Sequence, residues 1–330
     1  MKEFDYERAY DVTGAVALLG ADPDARYLGG GTNLVDLMKC GVERPARLVD
    51  VRELPLDRVR FTESGGLRIG ATVTNSDLAA HPDVRRNYPA LTQAVLAGAS
   101  GQLRNMATVG GNLLQRTRCG YFTDLAKPCN KRVPGSGCPA VEGEHHNHAI
   151  LGASAHCVAT HPSDMAVALA AFDAVVSYET ADGPGELPLA EFYLPVGDTP
   201  HLETALPPGA LITGVTLPAA PVAAHSRYRK VRERASYAFA IGSIAAALDV
   251  HDGVVREVRL AFGAVASRPW RARTAERALT GGPANTEAFA AAADAELAGA
   301  RPLPHNGYKV PLMRNLVVAM LTELTEEAAR

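Results

Sequence analysis

The segment Arg104–Asn112, with the sequence RNMATVGGN, is where the fold of this chain is most strongly indicated. Two adjacent glycines followed by a small polar residue let the backbone come close to a bulky anionic ligand. The residues that follow, up to Ser163-Asp164, contain four of the five cysteines of the chain. Together these features predict an anion-binding turn with a metal centre inserted beside it.

A second glycine-rich turn lies upstream, at Gly29–Asn33 (GGGTN). It joins a predicted strand, Arg26–Leu28, to a predicted helix, Leu34–Lys39, inside a β-α-β-α-β unit, and free amides at such a turn can face a phosphate. The run does not match G-x-G-x-x-G, and no Gly-Lys-Ser/Thr follows it, so Rossmann and Walker A sites are not supported. A glycine-rich turn without a ligand is the alternative interpretation.

The cysteine-rich loop favours a metal centre over disulfides. Its thiols, Cys119, Cys129, Cys138 and Cys157, are separated by nine, eight and eighteen residues, unlike the short C-x2-C pairs of zinc ribbons and bacterial ferredoxins. Four thiols match the ligand count of a cubane iron–sulfur cluster, and a loop rich in proline and glycine gains order from a metal. A zinc site and unpaired cysteines are the alternatives.

The charges of the loop also suit a thiolate-bound cluster, whose overall charge is negative. Basic side chains outnumber acidic ones: Arg116, Arg118, Lys127, Lys131 and Arg132 oppose Asp124, Glu142 and Glu144. A zinc site remains an alternative because imidazole is a good zinc ligand. The histidines of the loop are His145, His146, His148 and His156. The fifth cysteine, Cys40, is expected to be an inert buried thiol.

Composition argues against two other classes of protein. A formal charge of −3 over 330 residues, with 6% aromatic residues, does not favour a nucleic-acid partner. There is no run of about eighteen apolar residues, so no membrane span is expected. The polar N-terminus shows no signal peptide.

The rest of the chain predicts further helices and strands. Asp252-Gly253 between two apolar runs indicates a hairpin with a type I′ turn. Predicted helix caps are Thr13, the pair Asn75-Ser76, and Ser163. The other predicted strands lie at 4–10, 46–51, 59–63, 67–69, 174–178, 210–217 and 226–231, and the other helices at 13–19, 89–99, 164–172, 274–279, 286–297 and 310–326.

Four motifs, in this order, resemble the FAD-binding subunit of the xanthine dehydrogenase and carbon monoxide dehydrogenase family: Leu28–Leu34, Arg104–Asn112, Ser163-Asp164 and Lys230–Arg232. The resemblance covers nearly the whole chain. Most members run almost directly from Gly-Gly-Asn to Ser-Asp. The long insert at 114–160 is instead similar to that of the bacterial aldehyde oxidoreductase FAD subunit and the 4-hydroxybenzoyl-CoA reductase medium subunit, which carry an additional [4Fe-4S] cluster. Residues 128–138 and 148–152 resemble the aldehyde oxidoreductase type more closely, which favours iron–sulfur over zinc.

The resemblance implies an α+β fold with three parts. Residues 1–54 would form the first FAD-binding subdomain, and 55–220 the second, with the cysteine-rich cluster insert at 114–160, in a two-subdomain FAD-binding fold of the PCMH type. Residues 221–330 would form a C-terminal α+β domain, with an antiparallel sheet and helices, like that of the carbon monoxide dehydrogenase flavoprotein.

The resemblance also implies which residues bind the cofactors. Backbone amides of 29–35 and 100–112 would hold the FAD pyrophosphate. Asp164 would accept a hydrogen bond from a ribose or ribityl hydroxyl, Ile212 would pack near the flavin ring, and Lys230 would lie at its pyrimidine edge. The alternatives are a plain helix-start carboxylate for Asp164 and a solvated lysine for Lys230. The full expected set is Leu28, Gly29, Gly30, Gly31, Thr32, Asn33, Leu34, Val35, Ser100, Gly101, Asn105, Thr108, Gly110, Gly111, Asn112, Asp164, Ile212 and Lys230 for FAD, and Cys119, Cys129, Cys138 and Cys157 for the [4Fe-4S] cluster, with no catalytic residue.

The function implied by the resemblance is electron transfer in a molybdenum hydroxylase, most specifically an aldehyde oxidoreductase. Electrons would come from a molybdopterin-binding large subunit through a [2Fe-2S] small subunit, in a heterotrimer or its dimer, and leave through FAD to an external acceptor. The expected compartment is the cytoplasm, or the periplasm by co-export with a partner subunit. The alternative functions are a stand-alone FAD-dependent oxidoreductase of the same fold and a zinc scaffold without enzymatic activity.

Overall fold

The computed structural model describes residues 1–328 and begins with a small parallel sheet. Three strands and two helices alternate, as the sequence predicts, and the strand order is β1-β3-β2. The glycine-rich turn lies between β2 and α2, at one edge of this sheet. The elements are β1 (Asp5–Arg8), α1 (Val12–Gly20), β2 (Ala25–Leu28), α2 (Leu34–Lys39) and β3 (Arg47–Asp50).

A buried carboxylate, Asp50, ties the end of β3 to β1. It accepts hydrogen bonds from the Tyr6 hydroxyl and from Arg52, whose Nη2 lies 2.8 Å from Oδ2. Burial by itself raises the pKa of Asp50, but the hydrogen bonds from Arg52 and Tyr6 outweigh burial and lower the pKa to about 2. Asp50 is therefore ionised in the folded protein.

The central region contains a five-stranded antiparallel sheet in the order β4-β5-β8-β6-β7. Strand β7 was not predicted, because its two glycines and two prolines give a weak strand signal. The strands are β4 (Val59–Phe61), β5 (Leu67–Gly70), β6 (Val175–Thr180), β7 (Gly183–Pro188) and β8 (Leu211–Leu217).

The segment 100–112, whose backbone amides are expected to hold the pyrophosphate, was not predicted as helix but forms two short helices. The Ser100 hydroxyl accepts from the Leu103 amide at 3.3 Å, and the Thr108 hydroxyl accepts from the Gly111 amide at 3.2 Å, so each begins a helix. The helices of the central region are α3 (Asn75–Ala80), α4 (Pro82–Asn87), α5 (Pro89–Ala97), α6 (Gly101–Met106), α7 (Val109–Leu113), α8 (Gly120–Thr123), α9 (Asp164–Ala171) and α10 (Leu189–Phe192).

Two predicted helix caps were wrong and one is confirmed. Asp11, rather than Thr13, accepts from the Gly14 amide and caps α1, and Thr74, rather than Asn75-Ser76, caps α3. Both observed caps lie before the predicted ones. The side chain of a capping residue accepts from an amide two or three residues further along the chain, so the cap precedes the first turn of its helix. Ser163 caps α9 as predicted.

The C-terminal region forms a four-stranded antiparallel sheet in the order β12-β11-β10-β9, covered by helices. The predicted type I′ hairpin is confirmed: Asp252 and Gly253 have φ of 51° and 74° between two long strands. The elements are β9 (Ser226–Val231), β10 (Gly242–His251), β11 (Val254–Gly263), β12 (Trp270–Arg271), α11 (Arg273–Leu279), α12 (Thr286–Leu297) and α13 (Lys309–Ala328).

Strand β10 joins two hydrophobic cores because both of its faces are buried. Ala245 and Ala247 face a core shared with α5, α9 and the central sheet, whereas Ile244 and Leu248 face a core under α11, α12 and α13. The end of the cysteine-rich insert also packs into this second core. Between residues 1 and 328, no helix is long and apolar enough to cross a membrane.

Candidate FAD and iron–sulfur site

The glycine turn at Gly29–Asn33 packs against the start of α7 at Thr108–Gly111, and these two segments, called the two glycine turns below, line one cavity of about 690 Å³. A Cβ added to Gly30 would lie 1.8 Å from the carbonyl oxygen of Met106, and one added to Gly29 would lie 2.8 Å from Thr108 Oγ1. Gly31 has a φ of 72°, which favours glycine. Side chains at Gly29 and Gly30 would therefore separate the two turns. The volume of the cavity is in the range of cofactor sites.

More than half of the residues expected to bind FAD line this cavity: Gly29, Gly30, Gly31, Thr32, Asn33, Leu34, Thr108, Gly110, Gly111 and Ile212. The others do not line it. Asn112, for example, accepts from the Ser163 hydroxyl at 2.6 Å, and Asn105 accepts from the Ser76 hydroxyl. Leu28, Val35, Ser100, Gly101, Asn105 and Asn112 do not line this cavity, and their contact with a cofactor stays a prediction.

Three buried polar atoms of the cavity wall have no hydrogen-bond partner among residues 1–328: Asn33 Nδ2, His161 Nε2 and His201 Nδ1. The carbonyl of the Asn33 side chain accepts from the Arg116 amide at 2.9 Å, which fixes the orientation of this amide group. Burial lowers the pKa of His161 to about 4, so its ring is neutral. Because unpartnered buried polar groups are costly, these atoms fit a wall that receives a polar ligand.

A second cavity, of about 270 Å³, shares Thr117, Thr160 and His161 with the first. Asp164 lines it, and Lys230 Nζ donates to Asp164 Oδ2 at 2.8 Å. The ammonium also donates to the Ala97 carbonyl at 3.2 Å. Lys230 is therefore a buried partner of Asp164 and not a solvated lysine.

Asp164 is almost completely enclosed at the start of α9. Burial raises its pKa, and the ion pair with Lys230 and a hydrogen bond from the Tyr228 hydroxyl oppose that effect. This network lies beneath the second cavity, at the junction of the central and C-terminal sheets.

The four insert cysteines, which are distant in sequence, line one small cavity. The free space between them is about 10 Å³, so the thiols would have to separate to admit a cluster. No three His, Cys, Asp or Glu side chains within residues 1–328 are placed to hold a metal ion, so this arrangement supports neither the zinc alternative nor a bound [4Fe-4S] cluster. Cys40 lies outside this group and is exposed, so the expectation that it is buried was wrong.

The thiols interact with each other and with one histidine. The Cys157 thiol hydrogen bonds to Cys138, which lowers the pKa of Cys138 to about 6, and this contact together with burial raises the pKa of Cys157. His148 Nε2 lies 3.2 Å from Cys119 Sγ. Burial lowers the pKa of His148 to about 4, so a neutral imidazole faces Cys119.

The chain matches two family descriptions that together span most of its length. Residues 2–220 match "FAD binding domain in molybdopterin dehydrogenase", and residues 226–326 match "CO dehydrogenase flavoprotein C-terminal domain". The chain belongs to the FAD-binding medium subunits of the xanthine and carbon monoxide dehydrogenase family. It is an FAD-binding subunit of a molybdenum hydroxylase.

Curated relatives and solved structures agree with this family. The chain is 51% identical to the aldehyde oxidoreductase FAD-binding subunit PaoB of Escherichia coli, over 99% of this chain and 100% of that protein. It is 25% identical to the putative xanthine dehydrogenase FAD-binding subunit XdhB of Escherichia coli, over 98% of this chain and 95% of that protein. Among solved structures, carbon monoxide dehydrogenase of Hydrogenophaga pseudoflava matches with a TM-score of 0.75 and 27% identity, over 97% and 96% of the two chains.

Three charged residues of the first cavity were not predicted to lie there, although Arg116 and Lys131 were counted among the basic residues of the insert. Arg116, Lys131 and Glu203 line this cavity, with Glu203 contributed from a loop far along the chain. Arg116 Nε and Lys131 Nζ each lie 2.6 Å from a different oxygen of Glu203. No short motif brings these three together, so only the folded chain reveals them.

Proposed function

We propose that this chain is the electron-transfer subunit of an aldehyde-oxidising molybdenum hydroxylase and holds both FAD and a [4Fe-4S] cluster. The observation that carries this proposal is the placement of the two glycine turns and the four thiols around neighbouring cavities. The 51% identity to an aldehyde oxidoreductase FAD-binding subunit supports the substrate class. The proposed partners are a molybdopterin-binding large subunit and a [2Fe-2S] small subunit, in a heterotrimer or its dimer.

The first cavity fits the phosphate and adenosine parts of FAD. The turns at Gly29–Asn33 and Thr108–Gly111 would present backbone amides to the pyrophosphate, with Thr32 and Asn33 adding side-chain hydrogen bonds. The unpartnered Asn33 Nδ2 supports this role because it supplies a free donor at the wall. The proposed division of the chain at residues 54 and 220 places this cavity between the first two parts.

The second cavity adjoins the first and would receive the ribityl chain and the pyrimidine edge of the flavin ring, whereas Ile212, also expected near the ring, lines the first cavity. Asp164 would accept from a hydroxyl, and Lys230 would place positive charge near the pyrimidine edge. The ion pair between these two side chains keeps both charges oriented without solvent. Bound flavin supplies conversion between one-electron and two-electron transfer, and the protein supplies binding, orientation and electrostatics.

The thiol cavity fits a cluster by the chemistry of its donors. Four cysteines lining one cavity match the ligand set of a [4Fe-4S] centre. In the tautomer with a proton on Nε2, His148 would donate a hydrogen bond to Cys119 Sγ, which is one means by which proteins tune such centres. Arg132 orders the loop by donating to the carbonyls of Tyr121 and Phe122 at 3.0 and 2.7 Å.

The test is a comparison of Cys138→Ser with Cys40→Ser in the complex purified anaerobically with its partner subunits. Cys40 is exposed and outside the thiol cavity, so its variant is a matched control. We expect Cys138→Ser to lose about four iron atoms and the matching sulfide per chain, with FAD retained, whereas Cys40→Ser keeps the wild-type content. Aldehyde oxidation is measured in the same preparations.

Three outcomes would contradict the proposal. Equal iron content in the two variants would show that these thiols do not hold a cluster. Absence of FAD from the wild-type complex would show that the two cavities do not form a flavin site. Substrate turnover by this chain alone would favour the stand-alone oxidoreductase.

A further inference from the structure

Lys131 lies in the wall between two cavities. One is the small cavity of the four cysteines, the thiol cavity, and the other is the first cavity, proposed to hold part of FAD and called the FAD cavity here. Lys131 lines both of them and is two residues from Cys129. Its side chain is only 7% exposed, and its ammonium donates to Glu203 Oε1 at 2.6 Å and to the Pro200 carbonyl at 3.1 Å. The position of this charge is therefore fixed by two acceptors, and water has little access to screen it.

Glu203 continues the charged wall towards the first glycine turn. Its second oxygen, Oε2, lies 2.6 Å from Arg116 Nε, and Arg116 Nη1 lies 2.7 Å from Glu43 Oε1. All four side chains line the FAD cavity. The wall is thus a row of alternating charges, Lys131, Glu203, Arg116 and Glu43, with Lys131 at the thiol end.

The other cations of the insert, all within the described residues, are placed differently. Lys127 is also two residues from Cys129, but its side chain is exposed. Arg118 pairs with Asp36, and Arg132 donates to backbone carbonyls of its own loop. Of the five cations counted in the sequence, Lys131 is the one that lines both the thiol cavity and the FAD cavity.

We propose that Lys131 and Glu203 form a charge pair that sets the reduction potential of the cluster relative to FAD. This inference rests on the proposed cluster site. When one electron arrives from the partner subunits, no bond forms or breaks in this chain. The Lys131 ammonium stabilises the added negative charge, and the Glu203 carboxylate opposes it.

The pair predicts shifts of opposite sign for two substitutions. Lys131→Met removes the positive charge with little change in volume and should lower the midpoint potential of the cluster. Glu203→Gln removes the negative charge and should raise it. At an effective dielectric of about 20, a charge roughly 12 Å from a redox centre changes its reduction equilibrium by about tenfold. For a one-electron couple, a tenfold change corresponds to about 59 mV.

The measurement is a redox titration of the holo complex followed by electron paramagnetic resonance. Lys127→Met is the matched control, because it removes an exposed charge at the same sequence distance from Cys129. Lys131→Arg keeps the charge and should retain a near wild-type potential. These two variants separate a charge effect from a change in packing.

The outcomes distinguish this inference from the proposed function on which it rests. A wild-type complex without the cluster signal would refute the cluster itself. A normal wild-type signal with equal potentials in Lys131→Met and Lys127→Met would refute the inference alone, as would shifts of the same sign in Lys131→Met and Glu203→Gln. If Lys131→Met does not load the cluster, an unshifted Glu203→Gln overturns the inference and a raised potential in Glu203→Gln supports it.

Discussion

Replacing Gly30 by alanine is expected to weaken FAD binding strongly while the rest of the chain stays folded. The added Cβ would lie 1.8 Å from the carbonyl oxygen of Met106 and 2.4 Å from its carbon. Both are backbone atoms, so no side-chain rotation can relieve the contact. Since Cβ atoms essentially never approach other heavy atoms below 3.0 Å, the two turns would have to separate by about 1.2 Å.

The expected magnitude follows from this separation. Overpacking that shifts the backbone costs about 1–3 kcal/mol, and each 1.4 kcal/mol is roughly tenfold in affinity. Because both turns are expected to bind the same pyrophosphate, the strain opposes binding directly. We therefore expect FAD to bind about 10- to 100-fold more weakly in Gly30→Ala.

The assay is the FAD content of the purified complex, followed by fluorescence titration with added FAD. Gly20→Ala is the control, because no atom lies within 4 Å of its added Cβ at the end of α1. Gly29→Ala should be milder, since its close neighbour is the Thr108 hydroxyl, which belongs to a side chain. Wild-type FAD affinity in Gly30→Ala would refute the reasoning that the two turns form one cofactor site.

Two further predictions concern stability. Asp50→Asn should destabilise the protein by about 1–3 kcal/mol at pH 7. Since hydrogen bonds hold the pKa of Asp50 at about 2, below its ordinary value of 3.8, the stabilisation is present above about pH 4 and is lost as the pH falls towards 2. Denaturant unfolding of both proteins between pH 7 and pH 2 tests this, and a pH-independent difference would contradict it. Ser163→Ala removes the cap of α9 and the donor to Asn112, and should lower the free energy of unfolding by about 1 kcal/mol; an unchanged unfolding temperature would argue against a capping role.

Much of the fold could be predicted because its signals are local. The Asp252-Gly253 hairpin follows from two residues that tolerate positive φ, and the helix Thr286–Leu297 agrees with its predicted bounds. The N-terminal β-α-β-α-β unit follows from short apolar runs punctuated by glycine. The errors in the predicted fold also concern local features. Asp11 and Thr74 cap helices that were assigned to later residues, and 100–112 forms helices because two hydroxyls begin them.

The candidate site could be predicted only in part. Glycine turns and cysteine counts are visible in the sequence, and the structure brings each of these groups to one cavity. The exposure of Cys40 and the pairing of Lys230 with Asp164 are not visible, because burial depends on which distant segments pack over a side chain.

The sequence by itself determined the local chemistry of this protein: the turns that need glycine, the residues that begin helices and the number of thiols available. Only the tertiary structure decided that Cys119, Cys129, Cys138 and Cys157 meet, and that Lys131 is buried against Glu203 between two cavities. The reason is physical. Backbone preferences act within a few residues, whereas burial, charge pairing and convergence of ligands depend on contacts between segments far apart in the chain.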